Sequence, residues 1–245
     1  MRIPILILFI GALILRGQTV GSCQTQHCTG TGCTTADVTI NSTGATMIQM
    51  AVSTAAGTDA SSVTITDNQA NTWGHITSVL DSVSTTQWYA YKKGSGALQT
   101  SATHLIHVRG DYAAFTVCPV TGTKTYPDDP FSNQLLPGAH TSSATSLSTG
   151  SITCNQPASI IFTSMATHSL GTYAVGSPFT ITGQTTYISG NTAGEADGYR
   201  VQSSNSPAAA TWSGISPAGN ISTTIACYAS AAALPSVAVK RRFVN

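Results

Sequence analysis

The sequence predicts an all-β fold: an antiparallel β-sandwich of jelly-roll-like build, stapled by disulfides. Three observations lead there. Only 8% of the residues are charged, where an average soluble domain has roughly 25%, and Glu195 is the sole glutamate. Solvated helices draw their outer faces from Glu, Lys and Arg, so a chain this poor in them is not helical. The apolar residues fall instead in strand-length clusters punctuated by Ser, Thr, Gly, Asn and Pro. Finally, six cysteines stand behind an apolar leader, the pattern of an exported chain that forms disulfides.

Residues 1–22 read as a signal peptide or an N-terminal membrane anchor: Arg2, then the apolar run Ile3–Leu15, then a polar stretch. The run is short for a permanent span, which needs about 20 apolar residues. Residues 23–34 form a Cys-rich segment within "SCQTQHCTGTGC". Three chemistries compete for it: acylation of Cys23, a metal held by Cys23, Cys28, Cys33 and His27, or disulfides. The lipid reading is weakened because Arg16 and Gln18 separate Cys23 from the apolar run, and acylation would leave an unpaired thiol. Zinc sites use tight C-x-x-C knuckles, and these spacings are wider. Disulfides among Cys23, Cys28, Cys33, Cys118, Cys154 and Cys227 are the expectation, with one local bridge in the cluster and others tying it to the later cysteines.

From residue 35 the chain reads strand, turn, strand. "DVTIN" sends Val38 and Ile40 inward, "MIQMAV" is a more buried successor, and "SVTITD" alternates again at Val63 and Ile65. "DNQANTW" supplies Asp and Asn turn chemistry before a strand at Trp73. "TTQWYAYKK" puts Trp88 and Ala90 on one face, Tyr89 and Tyr91 on the other. "THLIHV" and "YAAFTV" meet at a hairpin turn through Arg109-Gly110-Asp111. Residues 121–144, with three prolines and no sustained period, read as a long connection. Strand-like segments resume with "SIIFTSMA", "FTITG", "TTYIS", "GYRVQSS", "AATWSG" and "STTIACYA". The expected organisation is one sandwich over 35–230, with a split near 121–144 as the alternative. Residues 231–245 are expected as a tail or edge strand.

"TDNQANTW", "WYAYKKGSG" and "GYRVQSS…AATWSG" resemble a set of exported bacterial β-sandwich proteins. These share a D-x-x-x-N-T-W/Y turn, a Trp-centred strand before a Gly-rich turn, and a late A-T-W-S strand. The resemblance implies a jelly-roll-like fold and carries no catalytic residue across.

Chemistry-bearing motifs are sparse. Glu195 and Asp197, two apart, share a strand face, and Asp128-Asp129 sit in the long connection. Neither pair carries a glycosidase motif, so no catalytic residue is assigned. No cofactor is expected, although Asp67, Asp128 and Asp129 are of the type that takes calcium. His104 and His107, three apart in a strand, face opposite sides and make a poor metal pair. The Arg109–Asp111 tripeptide matches an integrin-type motif but reads more simply as a tight turn. Tyr89, Tyr91, Lys92 and Lys93 are the candidate ligand-binding residues, since tyrosines on an exposed sheet face stack on sugar rings. Trp73 and Trp212 read as core anchors. With a formal charge of +1, the chain has no electrostatic footprint for nucleic acid.

The functional expectation is a secreted or surface-exposed, non-catalytic binding module, adhesin-like or glycan-binding. Its partners would be an extracellular glycan or neighbouring copies of itself, with the membrane reached only through an uncleaved leader. The alternatives are a subunit of an extracellular filament or surface layer assembling by strand addition at Ser236–Asn245, and a secreted polysaccharide hydrolase.

Overall fold

The structure, a computed structural model, describes residues 17–28, 35–55, 57–91, 98–123, 131–133, 139–156, 158–189 and 192–231. Residues 1–16 of the expected leader, Cys33, Lys92, Lys93, Asp128, Asp129 and residues 232–245 of the tail fall outside them. Residues 17–22, expected within the leader, are described, and Thr19–Val20 pairs as a strand with Val120 and Thr121. The described residues bear out the all-β antiparallel class, with one 3₁₀ turn at Ala60–Ser62.

The first ten strands are β1 (Thr19–Val20), β2 (Gln24–His27), β3 (Thr35–Ile40), β4 (Met47–Thr54), β5 (Thr64–Asp67), β6 (Thr72–His75), β7 (Val79–Leu80), β8 (Ser84–Tyr91), β9 (His104–Arg109) and β10 (Ala114–Thr121). The next nine are β11 (Phe131–Asn133), β12 (Ala139–Ala144), β13 (Leu147–Ser148), β14 (Ser159–Thr167), β15 (Gly171–Val175), β16 (Thr180–Thr185), β17 (Gly194–Gln202), β18 (Thr211–Ile215) and β19 (Gly219–Ala229).

These strands build two sandwiches of the same design. In the first, β2-β10-β4-β8 forms one sheet, extended by β6, and β3-β9-β5 covers its outer face. In the second, β12-β19-β14-β17 is extended by β16, and β13-β18-β15 covers it. Substituting β2, β3, β4, β5, β6, β8, β9 and β10 by β12, β13, β14, β15, β16, β17, β18 and β19 converts one order into the other. Even the short accessory strands correspond, since β1 pairs the end of β10 as β11 pairs the end of β19. The repeated order is that of a jelly roll, in which strands alternate between the two sheets along the chain.

The two large sheets then pack face to face, giving four layers. The outer strand β3 alternates exposed and buried residues along its length, with Ala36, Val38 and Ile40 inward. The inner strands β4 and β14 are buried at every position, as expected of strands covered on both faces. Ile48, Met50 and Val52 of β4 join Trp88, Phe115, Val117, Ile106 and Val108 in the first core. Ile161 and Ile225 pack with Phe179 and the Cys154–Cys227 bridge, while Met165, Tyr173, Trp212 and Ile221 fill the rest of the second core. Between the large sheets lie Met47, Ile76, Val120, Ile160, Phe162, Ala226 and Tyr228. Each such fully buried side chain contributes roughly 2 kcal/mol, so this middle layer is a third core.

The residues from 121 to 144 differ from the expected connection: they contain β11 and β12, both paired with β19. Strand β12, "AHTSSA", has no buried apolar residue to give it a period. It is held by main-chain pairing at a sheet edge, which leaves little trace in a hydrophobic pattern.

Each sandwich has its own disulfide. Cys23 bonds Cys118 with Cα atoms 4.3 Å apart, and Cys154 bonds Cys227 at 5.8 Å. Cys28 is disulfide-bonded as well, and no described cysteine is free. The Cys-rich segment is thus tied to Cys118 as expected, whereas Cys154 and Cys227 pair with each other. Such a chain forms in an oxidising environment. Replacing Cys154 and Cys227 together by Ala is expected to cost about 2–5 kcal/mol, measured as a lower denaturant midpoint with an otherwise native circular dichroism spectrum.

Candidate functional site

Three polar constellations are candidates for function. The first grows from the "DNQANTW" turn. Asp67 ends β5, and its Oδ1 accepts the Gln69 and Asn71 amides at 2.8 and 3.1 Å. Its Oδ2 accepts the Trp73 indole N–H at 2.9 Å and the Asn71 side-chain amide at 3.2 Å. This clamp holds Ala70 at φ 54°, a left-handed conformation that a residue with a Cβ adopts only when its surroundings impose it.

Behind the turn, His104 of β9 is fully buried, with Nε2 3.4 Å from Asp67 Oδ2 and Nδ1 2.8 Å from Ser42 Oγ. Ser, His and Asp in line invite comparison with a hydrolytic triad. The surroundings argue otherwise. Ser42 is fully buried and its Oγ also accepts the Ser101 amide at 3.0 Å, so no substrate carbonyl reaches it. The set instead bolts together the loops after β3, β5 and before β9. Burial pushes the Asp67 carboxyl up, but hydrogen bonds from His104, the Asn71 amide, Trp73 and the Gln69 amide outweigh it and hold the pKa down at about 2. Both oxygens are taken by N–H donors, an arrangement that suits an ionised carboxylate within the protein.

The second constellation lies between the two large sheets. Strand β17 projects Glu195 and Asp197 into the middle layer, where both are fully buried. Thr116 of β10 donates to Glu195 Oε2 at 3.0 Å, and Thr182 of β16 donates to Asp197 Oδ2 at 2.7 Å. Around them run Thr25–Thr116 at 3.0 Å, Thr85–Ser164 at 2.8 Å, Ser164–Thr224 at 2.7 Å and the Gln49–Gln87 pair. Burial, then the neighbouring Asp197, raises the Glu195 pKa well above its ordinary value. Burial raises Asp197 to about 8, against hydrogen bonds from Thr182, Gln87 and Gln49. The two share a strand face, as their spacing predicts; their enclosure by a second sheet is what the spacing did not reveal.

The third lies at one pole of the molecule. Leu80, Leu170 and Ile188 are 47%, 54% and 43% exposed, three of the four large exposed apolar residues among those described. Close by, the His168 and Tyr187 rings are 5.3 Å apart, and His140 Nδ1 is 3.6 Å from Asp81 Oδ2. Strand order fixes the location. Leu80 pairs Ser84 at the start of β8, Ser222 Oγ donates to the Val83 carbonyl, and the His168 amide donates to Asn220 O at the start of β19. The first and last described residues lie at the other pole: the Ala231 amide donates to Gly122 O at 2.8 Å, and a Cβ added to Gly122, whose φ is +75°, would stand 3.0 Å from Gly17 O.

The candidate ligand residues on β8 are placed differently from one another. Tyr89 is half-buried in the middle layer, edge-on to Tyr228 with ring centroids 6.4 Å apart. The Tyr91 side chain, Lys92 and Lys93 lie outside the described residues. Of the other singled-out residues, Trp212 is fully buried and Trp73 packs at the edge of the first core. His107 faces outward to Asp37 at 3.1 Å, opposite to His104. Arg109 reaches Asp37 at 2.6 Å, and an added Cβ on Gly110 would meet Val63 at 2.5 Å, which accounts for that tripeptide as a packed turn. Comparison with protein-family models, with curated proteins and with solved structures finds no match.

Replacing Asp67 by Ala is expected to destabilise the protein by about 3 kcal/mol, because several buried N–H donors lose a charged acceptor. Asp67 also sets an acid limit. Its folded pKa is below the unfolded value, so its contribution is present above about pH 4 and is lost as pH falls through about 2. A denaturant series across that range reads both effects.

Proposed function

We propose that the chain is an exported, non-catalytic binding module that meets an extracellular glycan through the pole bearing Leu80, Leu170, Tyr187 and Ile188. The carrying observation is polarity. Gly17 and Ala231, the first and last described residues, lie beside Gly122 at one pole, while three of the four large exposed apolar residues among those described lie at the other. A module held from the side of Gly17 and Ala231 presents the opposite pole outward. That pole offers what a sugar uses: an aromatic ring with apolar neighbours for the ring face, and Asp81, His140 and His168 for the hydroxyl rim. The disulfides and the sparse charge fit a protein that works outside the cell.

A glycan array followed by affinity electrophoresis tests this. Saturable binding is expected, weakened about tenfold or more by the Leu170→Ala/Tyr187→Ala pair and unchanged by Thr39→Ala on the outer face of the first sandwich. Binding indifferent to the pole substitutions contradicts the assignment. Release of new reducing ends from a polysaccharide panel contradicts the non-catalytic reading.

A further inference from the structure

We infer that the middle layer is a proton-operated latch: Glu195 and Asp197, held neutral, keep the two sandwiches together, and their ionisation parts them while each sandwich stays folded. Geometry makes the middle layer the plane that yields. Each sandwich has its own apolar core and its own disulfide, and no named strand of one pairs with a named strand of the other, the Thr123–Ser230 bridge apart. Apart from main-chain contacts at Gly122–Ala231, Thr123–Ser230 and Tyr112–Ala193, they meet through a mixed layer of seven buried apolar residues and a seam of hydroxyls, amides and two carboxyls.

Among the described residues, the groups around the carboxyls supply no positive charge. Thr25 from β2, Gln49 from β4, Gln87 from β8, Thr116 from β10 and Thr182 from β16 face them, none ionisable in the working range. The titratable groups that reach them are tyrosines: Tyr173 from β15 beside Glu195, and Tyr228 from β19 beside Asp197, with Tyr89 of β8 against Tyr228. Strand β2 also carries His27, partly buried and two residues from Thr25. Strand β14 contributes Ser164 and Ala166 to this face, and no charge. Glu195 Oε1 has no hydrogen-bond partner among the described residues. The layer is also tight: a Cβ on Gly183 would meet Thr25 Oγ1 at 2.1 Å and Thr116 Oγ1 at 2.7 Å. With no cationic side chain facing them among the described residues, a proton is the simplest way to remove each charge.

The sign follows. Both folded pKa values stand above the ordinary carboxylate range, Asp197 at about 8. The closed state therefore holds more protons than the open one. Closure is fully favoured below about pH 4 and weakens as pH rises toward 8, by about tenfold in the opening constant per pH unit per ionising carboxyl.

Hydroxyl-radical footprinting of the whole protein at pH 5, 7 and 9 reads the opening. Labelling of Met47 and Phe162, in the middle layer, is expected to rise about tenfold or more, while Phe115 and Trp212, in the separate cores, stay protected. Flat labelling of all four, or a joint rise of all four, overturns the inference. The Glu195→Gln/Asp197→Asn variant is expected to stay closed at pH 9; a variant that opens like the parent overturns it, and if the variant does not fold, the wild-type contrast between layer and cores decides. Calcium chloride or EDTA is expected to leave the wild-type profile unchanged. Calcium-dependent closure at pH 9 would assign the site to a cation and overturn the proton reading.

Discussion

The constraint on which the structure depends is that its two central sheets are covered on both faces. A sheet exposed on one side leaves its polar residues to water, but here Gln49, Ser53, Thr85, Gln87, Thr116, Ser164, Ser222 and Thr224 all lie inside. Each must find a partner within the protein, because an unpaired buried polar group costs about 1–3 kcal/mol. Hydroxyls suit this duty: Ser and Thr both donate and accept, rotate to fit, and occupy little volume. The abundance of Ser and Thr in the chain is therefore a requirement of its interior as well as a feature of its surface. The two carboxyls in the same layer follow the same logic, with protonation replacing a counter-charge.

The duplicated strand order shows how the layers arise. Each half of the chain folds into a sandwich whose larger sheet would present a broad, mixed face to solvent. Packing the two larger sheets together buries both faces and leaves the smaller sheets, with their Thr-rich outer surfaces, as the exterior. Charge is needed only at isolated points, such as the Asp37–His107–Arg109 cluster on β3 and β9. The Arg109 and His107 hydrogen bonds hold the Asp37 carboxyl below its ordinary range, but the cluster is exposed and adds little to stability.

Much of this was legible in the residues. The alternation in "DVTIN" marked an outer strand covered on one face, and the near-continuous "MIQMAV" and "SIIFTSMA" marked strands covered on two. The Asp and Asn of "DNQANTW" marked the turn that Asp67 clamps. Other features were not legible, for identifiable reasons. Strand order is set by which segments pair across long sequence distances, and the two halves repeat it without repeating residues. Strands β11 and β12 are held by backbone hydrogen bonds, to which side-chain period is blind. Tyr89 alternates with Trp88 as a strand residue should, but a strand pattern states only that it faces away from the first core. That the other side is a second sheet is tertiary information. The same holds for Glu195 and Asp197, whose shared face was evident and whose burial was not.

The central claim is that the facing sheets exclude water and charge so completely that a carboxyl between them remains a neutral acid near pH 7. Because Glu195 is the only glutamate, labelling glutamate with carbon-13 at Cδ yields a single side-chain carboxyl signal. The decisive measurement is its chemical shift from pH 3 to 8. The account predicts that it keeps the value of a protonated acid through pH 6, well past the ordinary glutamate midpoint of about 4.3. A sigmoidal shift to the carboxylate value centred near that midpoint, in the folded protein, would contradict it.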